Sequence, residues 1–370
     1  MNSRKIFDFA LRTFLFLSPL FFFREFKLSF ARGLFFILGT FALFAISLGC
    51  EQKRKFSNIW MSLFLLLAFA RMFFDNGFGS GEWFNFWLAC ANFIYVFCGV
   101  LLFYVVYCYV DDIKSYFRPI VYVCILNFML TLAQIFKQDF MWQHAPSVCG
   151  FMENSSQLGQ YSAFALPILV YLNPFFVAMP LFTLIASKSI SPILASIIGM
   201  AAFGVLYRVN KAMMAGIGGV LLVLVVFLNF NYISTKWQCR PIMWQKTLKV
   251  ALQKPYLGWG YGSFQEKVTN VKGQSLGGVE YSRPHNDYLH TAQEMGFPIV
   301  IVIGMFFINL FRKFLAVKNK DKLTLCLASV VIIVLVNMSG QTLIRYASIS
   351  GTFIVLLALF CAEVENAGSV

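Results

Sequence analysis

The chain has 370 residues, 59% of them apolar and only 12% charged, with a formal net charge of +14. Soluble domains carry about a quarter charged residues, so this composition excludes an ordinary soluble enzyme and points to an integral membrane protein. The nine cysteines are scattered and form no C-x-x-C pair, which removes the usual zinc and thiol-redox spacings.

A membrane-spanning helix needs roughly 20 mainly apolar residues. In chain order such stretches run from Asp8 to Phe23, Ser29 to Gly49, Ser57 to Phe74, Phe84 to Tyr109, Phe117 to Phe136, Gln157 to Leu172, Pro174 to Ser187, Ser189 to Leu206, Ala212 to Phe230, Gly296 to Phe311, Leu323 to Met338 and Tyr346 to Ala362. They predict an all-α integral membrane protein with about 12 transmembrane helices. Arg4 and Lys5 precede the first apolar stretch, but no small-residue cleavage site follows it, so it reads as a retained helix and not as a signal peptide. Between Pro174 and Leu206, Pro180, Lys188 and Pro192 interrupt the pattern, so that region reads either as two helices or as a kinked or re-entrant pair.

Cytoplasmic loops carry the excess of Lys and Arg. With the start of the chain inside, the inner connections hold Lys53, Arg54, Lys55, Lys114, Arg118, Arg208, Lys211, Arg312, Lys313, Lys318, Lys320 and Lys322. The outer short connections hold only Arg24, Lys27, Lys137, Lys188 and Arg345. Both termini are therefore expected in the cytoplasm. Residues 1–370 read as a single polytopic membrane domain, with residues 231–294 inserted between helices 9 and 10 as the one large outer loop.

That loop carries Lys236, Arg240, Lys246, Lys249, Lys254, Lys267, Lys272 and Arg283 against Glu266, Glu280, Asp287 and Glu294. The excess of positive charge suits either an anionic ligand or lipid headgroups. From Gln238 to Gln253, Trp244, Leu248, Ala251 and Leu252 recur at helical spacing, which predicts an amphipathic helix lying on the membrane surface. Arg240 stands at its start, where free N–H groups and the helix dipole favour an anion. Next come Gly258, Gly260 and Gly262, whose alternation permits tight turns and close backbone approach to a ligand. Membrane helices flank them in place of a strand and helix, so a nucleotide-binding loop is excluded.

The densest chemistry is Arg283-Pro284-His285-Asn286-Asp287-Tyr288-Leu289-His290, with Glu294 and Gly296 following. Two of the chain's three histidines lie here. Four-residue spacing puts Asn286, His290 and Glu294 on one helix face. His285 and His290 are five apart, with neither an H-E-x-x-H motif nor a nearby cysteine, so zinc is not expected.

Arg240 with Trp244, the Gly258-x-Gly260-x-Gly262-Ser263-Phe264 run, His285-Asn286-Asp287-Tyr288-Leu289 and Glu294-x-Gly296 before a span together resemble the O-antigen ligase and polymerase family. Cys149-Gly150-Phe151-Met152-Glu153-Asn154 is similar to the family's segment leading into a span, and the resemblance runs from Val148 to Met338. It implies a bacterial inner-membrane enzyme and a periplasmic loop. The implied reaction moves a glycan from undecaprenyl diphosphate to lipid A-core, with no cofactor, metal or nucleic-acid partner and with membrane lipid around it. By the resemblance, Arg240 binds the diphosphate. A histidine, whose unperturbed pKa is near 6.5, suits the role of general base, which falls to His285, and Arg283 reads as a second clamp. Asn286 or Asp287 would orient the imidazole, and Glu294 would hold a sugar hydroxyl or pair with an arginine. Where the family has a Ser-Arg pair this chain has Ser187-Lys188, which keeps the charge but loses the planar fork.

Three activities share the pattern: O-antigen ligation, O-antigen polymerisation and protein O-glycosylation. The compact chain favours the ligase. A lipid-linked glycan flippase or other transporter is the alternative of a different class, but such proteins place ionisable groups near the bilayer midplane, whereas here the charges stand near span ends.

Overall fold

The computed structural model describes residues 3–20, 28–56, 58–74, 83–136, 148–152, 154–206, 240–264, 267–268 and 283–368. The expected ninth span, Ala212 to Phe230, and the loop residues Lys236, Glu266, Lys272 and Glu280 lie outside them.

Among the described residues the chain is helical, with no strand. The helices are α1 (Ser3–Leu20), α2 (Leu28–Ser47), α3 (Ile59–Phe74), α4 (Trp83–Tyr109), α5 (Phe117–Ile135), α6 (Ser155–Leu172), α7 (Ala178–Ala186) and α8 (Ile190–Leu206). After α9 (240–253) come α10 (Asp287–Met295), α11 (Phe297–Ala316), α12 (Lys322–Met338) and α13 (Ala347–Gly368). Short 3-10 turns at Ile113–Tyr116 and Pro174–Val177 lead into α5 and α7. Among the described residues, four segments are long and apolar enough to cross a membrane: Cys90–Tyr109, Ile113–Ile135, Phe297–Ala316 and Ala347–Gly368. Ala31–Ser47, Ile59–Arg71, Pro174–Ala186, Ile190–Val205 and Lys322–Met338 are shorter apolar helices.

Local signals set several helix boundaries. Asn154 caps α6 by accepting from Gln157 N at 3.0 Å, Asp321 caps α12 by accepting from Thr324 N at 2.8 Å, and Pro298 lies in the first turn of α11. The centre of the bundle is α6, α12 and α13, which are buried on nearly every face. A helix apolar all round belongs in such a core. α12 packs between α6, α8 and α13, and α4, α2 and α1 wrap the other side of α13. Polar side chains on these helices bond to one another: Ser162 to Thr183 at 2.7 Å, Ser191 Oγ to Asn337 at 3.0 Å and Ser348 Oγ to Gln157 at 3.2 Å. Such links hold helices together where lipid offers no hydrogen bonds.

The outer faces are greasy. Phe9, Leu38, Leu66, Met129, Val205 and Ile301 are all more than half exposed, with Val205 at 76%, a distribution that water would penalise and a bilayer would not.

The two ends of the bundle differ. At one end the start of α1 meets the 50–58 and 110–116 connections through Arg4–Asp111 and Lys53–Asp111 ion pairs at 3.8 Å and a Tyr116 to Asp8 hydrogen bond at 2.5 Å. The end of α13 joins it through Arg54 to Asn366 at 3.2 Å. At the opposite end lie the starts of α6, α8 and α13, the end of α12, and helix α10.

Close approach between α8 and α12 depends on Gly199, where an added Cβ would sit 2.2 Å from Ile333 Cγ1 and 3.1 Å from the Ser329 carbonyl. Gly199→Ala should therefore lower stability by about 1–3 kcal/mol through overpacking. Thermal unfolding in detergent measures it, and an unchanged melting temperature would mean the two helices do not pack this way.

Candidate active site

Helix α10 is the framework of the cluster. Asn286 caps it, accepting from Leu289 N at 3.0 Å, and its Nδ2 donates to the Ser339 carbonyl at 2.9 Å. Asp287, buried, accepts from the backbone N–H groups of Leu343 at 2.7 Å and Ile344 at 3.1 Å. Both residues thus tie the segment to the connection between α12 and α13. Neither is the partner found on the His285 ring: His285 Nδ1 faces Gln341 Oε1 at 3.1 Å. Asn286, expected with Asp287 to orient the imidazole, is used in helix capping and on the Ser339 carbonyl, and Asp287 Oδ2 on backbone of the α12–α13 connection.

Gln341 is held in turn. Its Nε2 donates to Ser156 Oγ at 2.9 Å and Ser189 Oγ at 3.4 Å, and the two serine hydroxyls are 3.1 Å apart. With the amide nitrogen facing the serines, the amide oxygen faces the ring, so His285 donates from Nδ1 and keeps the lone pair on Nε2. One residue earlier, the Gly340 carbonyl accepts from Arg240 Nη1 at 2.8 Å. Adjacent residues of one connection therefore bring Arg240 and His285 to the same place. Trp244 Nε1 adds a bond to the Pro284 carbonyl at 2.9 Å, locking α9 against the segment that carries His285.

Two non-glycine residues among those described adopt positive φ, Lys188 and His285, both at 52°. Bulky side chains rarely occupy this region, and such strain concentrates at functional sites. Both border the Gln341 junction: His285 through its ring and the exposed Lys188 through its neighbour Ser189. Arg283 lies with its Cζ 4.7 Å from the centre of the Tyr346 ring, and its buried Nη1 has no hydrogen-bond partner among the described residues.

Glu294 is 1% exposed and accepts from Gly262 N at 2.9 Å, His290 Nε2 at 3.1 Å and Arg345. Of the two roles expected for it, the structure shows pairing with an arginine. Its backbone is held as well: the Glu294 carbonyl accepts from Gly260 N at 2.9 Å and from buried Arg71, which also donates to the Gly258 carbonyl at 3.2 Å. Gly258, Gly260 and Gly262 all have positive φ, and a Cβ on Gly258 would stand 2.5 Å from the Glu294 carbonyl carbon. The close approach these glycines permit is thus made by the chain's own α10–α11 corner.

The expected stripe on α9 is split. Met243, Thr247 and Ala251 are buried, with Met243 against Phe264 and Val268, while Leu248 and Leu252 are exposed. The bond from Trp244 to Pro284 sets this rotation. It leaves Ile242, Leu248 and Leu252 on the outer face with Tyr256 and Leu257 just beyond the helix, where they suit a membrane interface.

The buried charges respond to this setting. Burial raises the Asp287 carboxyl to about 6, partly offset by the Leu343 and Ile344 N–H groups. Burial lowers His290 to about 4, and nearby Arg345 adds to the effect. For Glu294 burial acts upward, but Arg345 and His290 outweigh it and hold the carboxyl low, at about 2.

With the geometry in place, one comparison bears on the family: a family model described as O-Antigen ligase matches residues 175–304. That match supports membership of the O-antigen ligase and polymerase family. The matched segment contains Lys188, Arg240, the three glycines, Arg283, His285, Asn286, Asp287 and Glu294, and stops short of Gln341 and Arg345. No curated protein matches the chain. The family's members are glycosyltransferase-like enzymes of lipid-linked glycans, consistent with the apolar helices of a multi-pass membrane protein.

Gln341, Ser156, Ser189, Arg71 and Arg345 escaped the sequence reading. Only the arginines left a signal there: Arg345 is a positive charge on the side the positive-inside rule keeps poor in them, and Arg71 stands near the outer end of its span.

The pKa shifts carry opposite pH signatures. Neutral His290 contributes stability that is full above its ordinary 6.5 and lost as pH falls towards 4. Asp287 contributes stability that is full below its ordinary 3.8 and lost as pH rises through 6. Between pH 4 and 6.5, His290→Gln should therefore reduce the rise of melting temperature with pH, and Asp287→Asn should steepen it. Curves parallel to wild type in both variants would remove these groups from the buried cluster.

Proposed function

We propose that the protein is an O-antigen ligase, which transfers glycan from undecaprenyl diphosphate to lipid A-core on the periplasmic side of the inner membrane, with both termini in the cytoplasm. The observation that carries this reading is the meeting of Arg240 and a strained His285 on consecutive residues, Gly340 and Gln341, at the end of the bundle away from the chain ends. The periplasmic placement rests on the basic residues gathered at the other end.

In this reaction the acceptor hydroxyl attacks the anomeric carbon of the donor sugar. The bond from that carbon to the diphosphate oxygen breaks, and the leaving diphosphate keeps the electron pair. His285 Nε2 takes the hydroxyl proton, while Arg240, Arg283 and Lys188 neutralise charge growing on the phosphates. A sugar diphosphate is already a good leaving group, so the chemistry asks mainly for positioned positive charge and one base. Gln341 holds the ring in the tautomer that keeps the lone pair on Nε2. Asn286, Asp287, Glu294 and the three glycines serve by fixing the segment that carries His285.

His285→Ala should reduce transfer by about 10²–10⁴-fold, the usual worth of a general base, with expression and melting temperature kept. Arg240→Lys should also impair transfer strongly, since the ammonium loses the planar fork. The assay is lipopolysaccharide profiling of a deletion strain complemented with each variant. The deletion should leave polymerised glycan on its carrier and none on core. One-unit chains on core would instead make the protein a polymerase, and normal lipopolysaccharide with an unglycosylated protein would make it a protein transferase. Wild-type profiles from both variants would end the proposed mechanism.

A further inference from the structure

At the end opposite His285, a cavity of about 500 Å³ opens between α4, α11, α13 and the connection before α3. Its walls include Lys55, Asn58, Asn309 and Lys313, with Phe103 and Phe306 at its inner boundary. Those two phenylalanines also line a narrower slot of about 160 Å³ that continues along α3, α4, α11 and α13 past Trp60, Phe64, Ile303 and Leu357. Their rings meet edge to face at 6.2 Å, so polar mouth and apolar slot adjoin at these two side chains, a passage continuous in its lining.

The order of groups along α11 is amphipathic in depth. Phe306, Asn309 or Leu310, and Lys313 follow one another along a single face, so the cation stands about two turns, roughly 10 Å, from the apolar neck. Neither Lys55 nor Lys313 has an ion-pair partner among the described residues. The one carboxylate on the wall, Glu365, already accepts from the Tyr107 hydroxyl. Two lysines over a hydrocarbon-lined slot complement a phosphodiester carrying acyl chains. A soluble phosphate would leave the slot unfilled, and an uncharged lipid would leave the lysines unused.

We propose that this passage binds one anionic glycerophospholipid, with its phosphate between Lys55 and Lys313 and the first part of one acyl chain in the Phe103–Phe306 slot. The proposal rests on the membrane setting and is independent of which transfer reaction the His285 end performs. Bound there, the lipid bridges α3, α4, α11 and α13. Two of these, α11 and α3, pack against each other, and they also hold helix α10 and, through Arg71, the Glu294 corner.

The test is native mass spectrometry of the detergent-purified full chain titrated with dioleoylphosphatidylglycerol, dioleoylglycerol or inorganic phosphate. Phosphatidylglycerol should bind at one to one. The double variant Lys55→Gln/Lys313→Gln should weaken it about fivefold per lysine, while melting like wild type in lipid-free detergent. The control Arg312→Gln/Lys318→Gln, exposed charges at the same end outside the passage, should change affinity by less than twofold. Three results would each overturn the proposal: dioleoylglycerol binding as tightly as phosphatidylglycerol, phosphate alone competing at equal concentration, or the control pair losing as much affinity as the passage pair.

Discussion

The site depends on a single connection, residues 339–346, between two of the central buried helices of the bundle. Its Ser339 and Gly340 carbonyls accept from Asn286 and Arg240, its Leu343 and Ile344 N–H groups hold Asp287, and its Gln341 and Arg345 side chains reach His285 and Glu294. Buried polar groups are costly unless paired. Here the unpaired groups left by the end of α12 and start of α13 are the partners of a segment that would otherwise be only an exposed loop. The rigidity of α12 and α13 is thereby passed to α10, and through Asn286 to His285.

That coupling explains the placement of strain. A histidine at positive φ persists only where its surroundings over-determine it. The cap on one side and Gln341 on the other supply this, and Gln341 is itself fixed by serines at the starts of α6 and α8. The buried ion cluster of His290, Glu294 and Arg345 plays a different part. It has little direct access to a ligand at Glu294, and it anchors the far end of α10 against Gly262 and the Arg71-held corner.

Much of this was legible from sequence where the signal is local. Apolar length gave helices near the expected positions from α1 to α8 and from α11 to α13, because hydrophobic runs report their own environment. The four-residue spacing of His290 and Glu294 predicted their contact. The glycine alternation predicted close backbone approach, although the neighbour is the chain itself. On α9 the one apolar stripe read from the spacing is split, with Ala251 buried and Leu248 and Leu252 exposed, and Trp244 bonds to Pro284, 40 residues away. The junction at Gln341 was illegible for the same reason: a lone glutamine has no spacing signature, and its partners lie 56 and 185 residues distant. Arg345 was visible only as one of the few charges in the expected outer connections.

The most direct test of the central coupling compares Gln341→Leu and Gln341→Glu in glycan transfer as a function of pH. If Gln341 sets the His285 ring, the leucine variant loses transfer through kcat with the fold intact. The glutamate variant retains activity, and its acidic limb moves to higher pH because a carboxylate beside the ring stabilises the imidazolium. Wild-type profiles from both variants would contradict that arrangement.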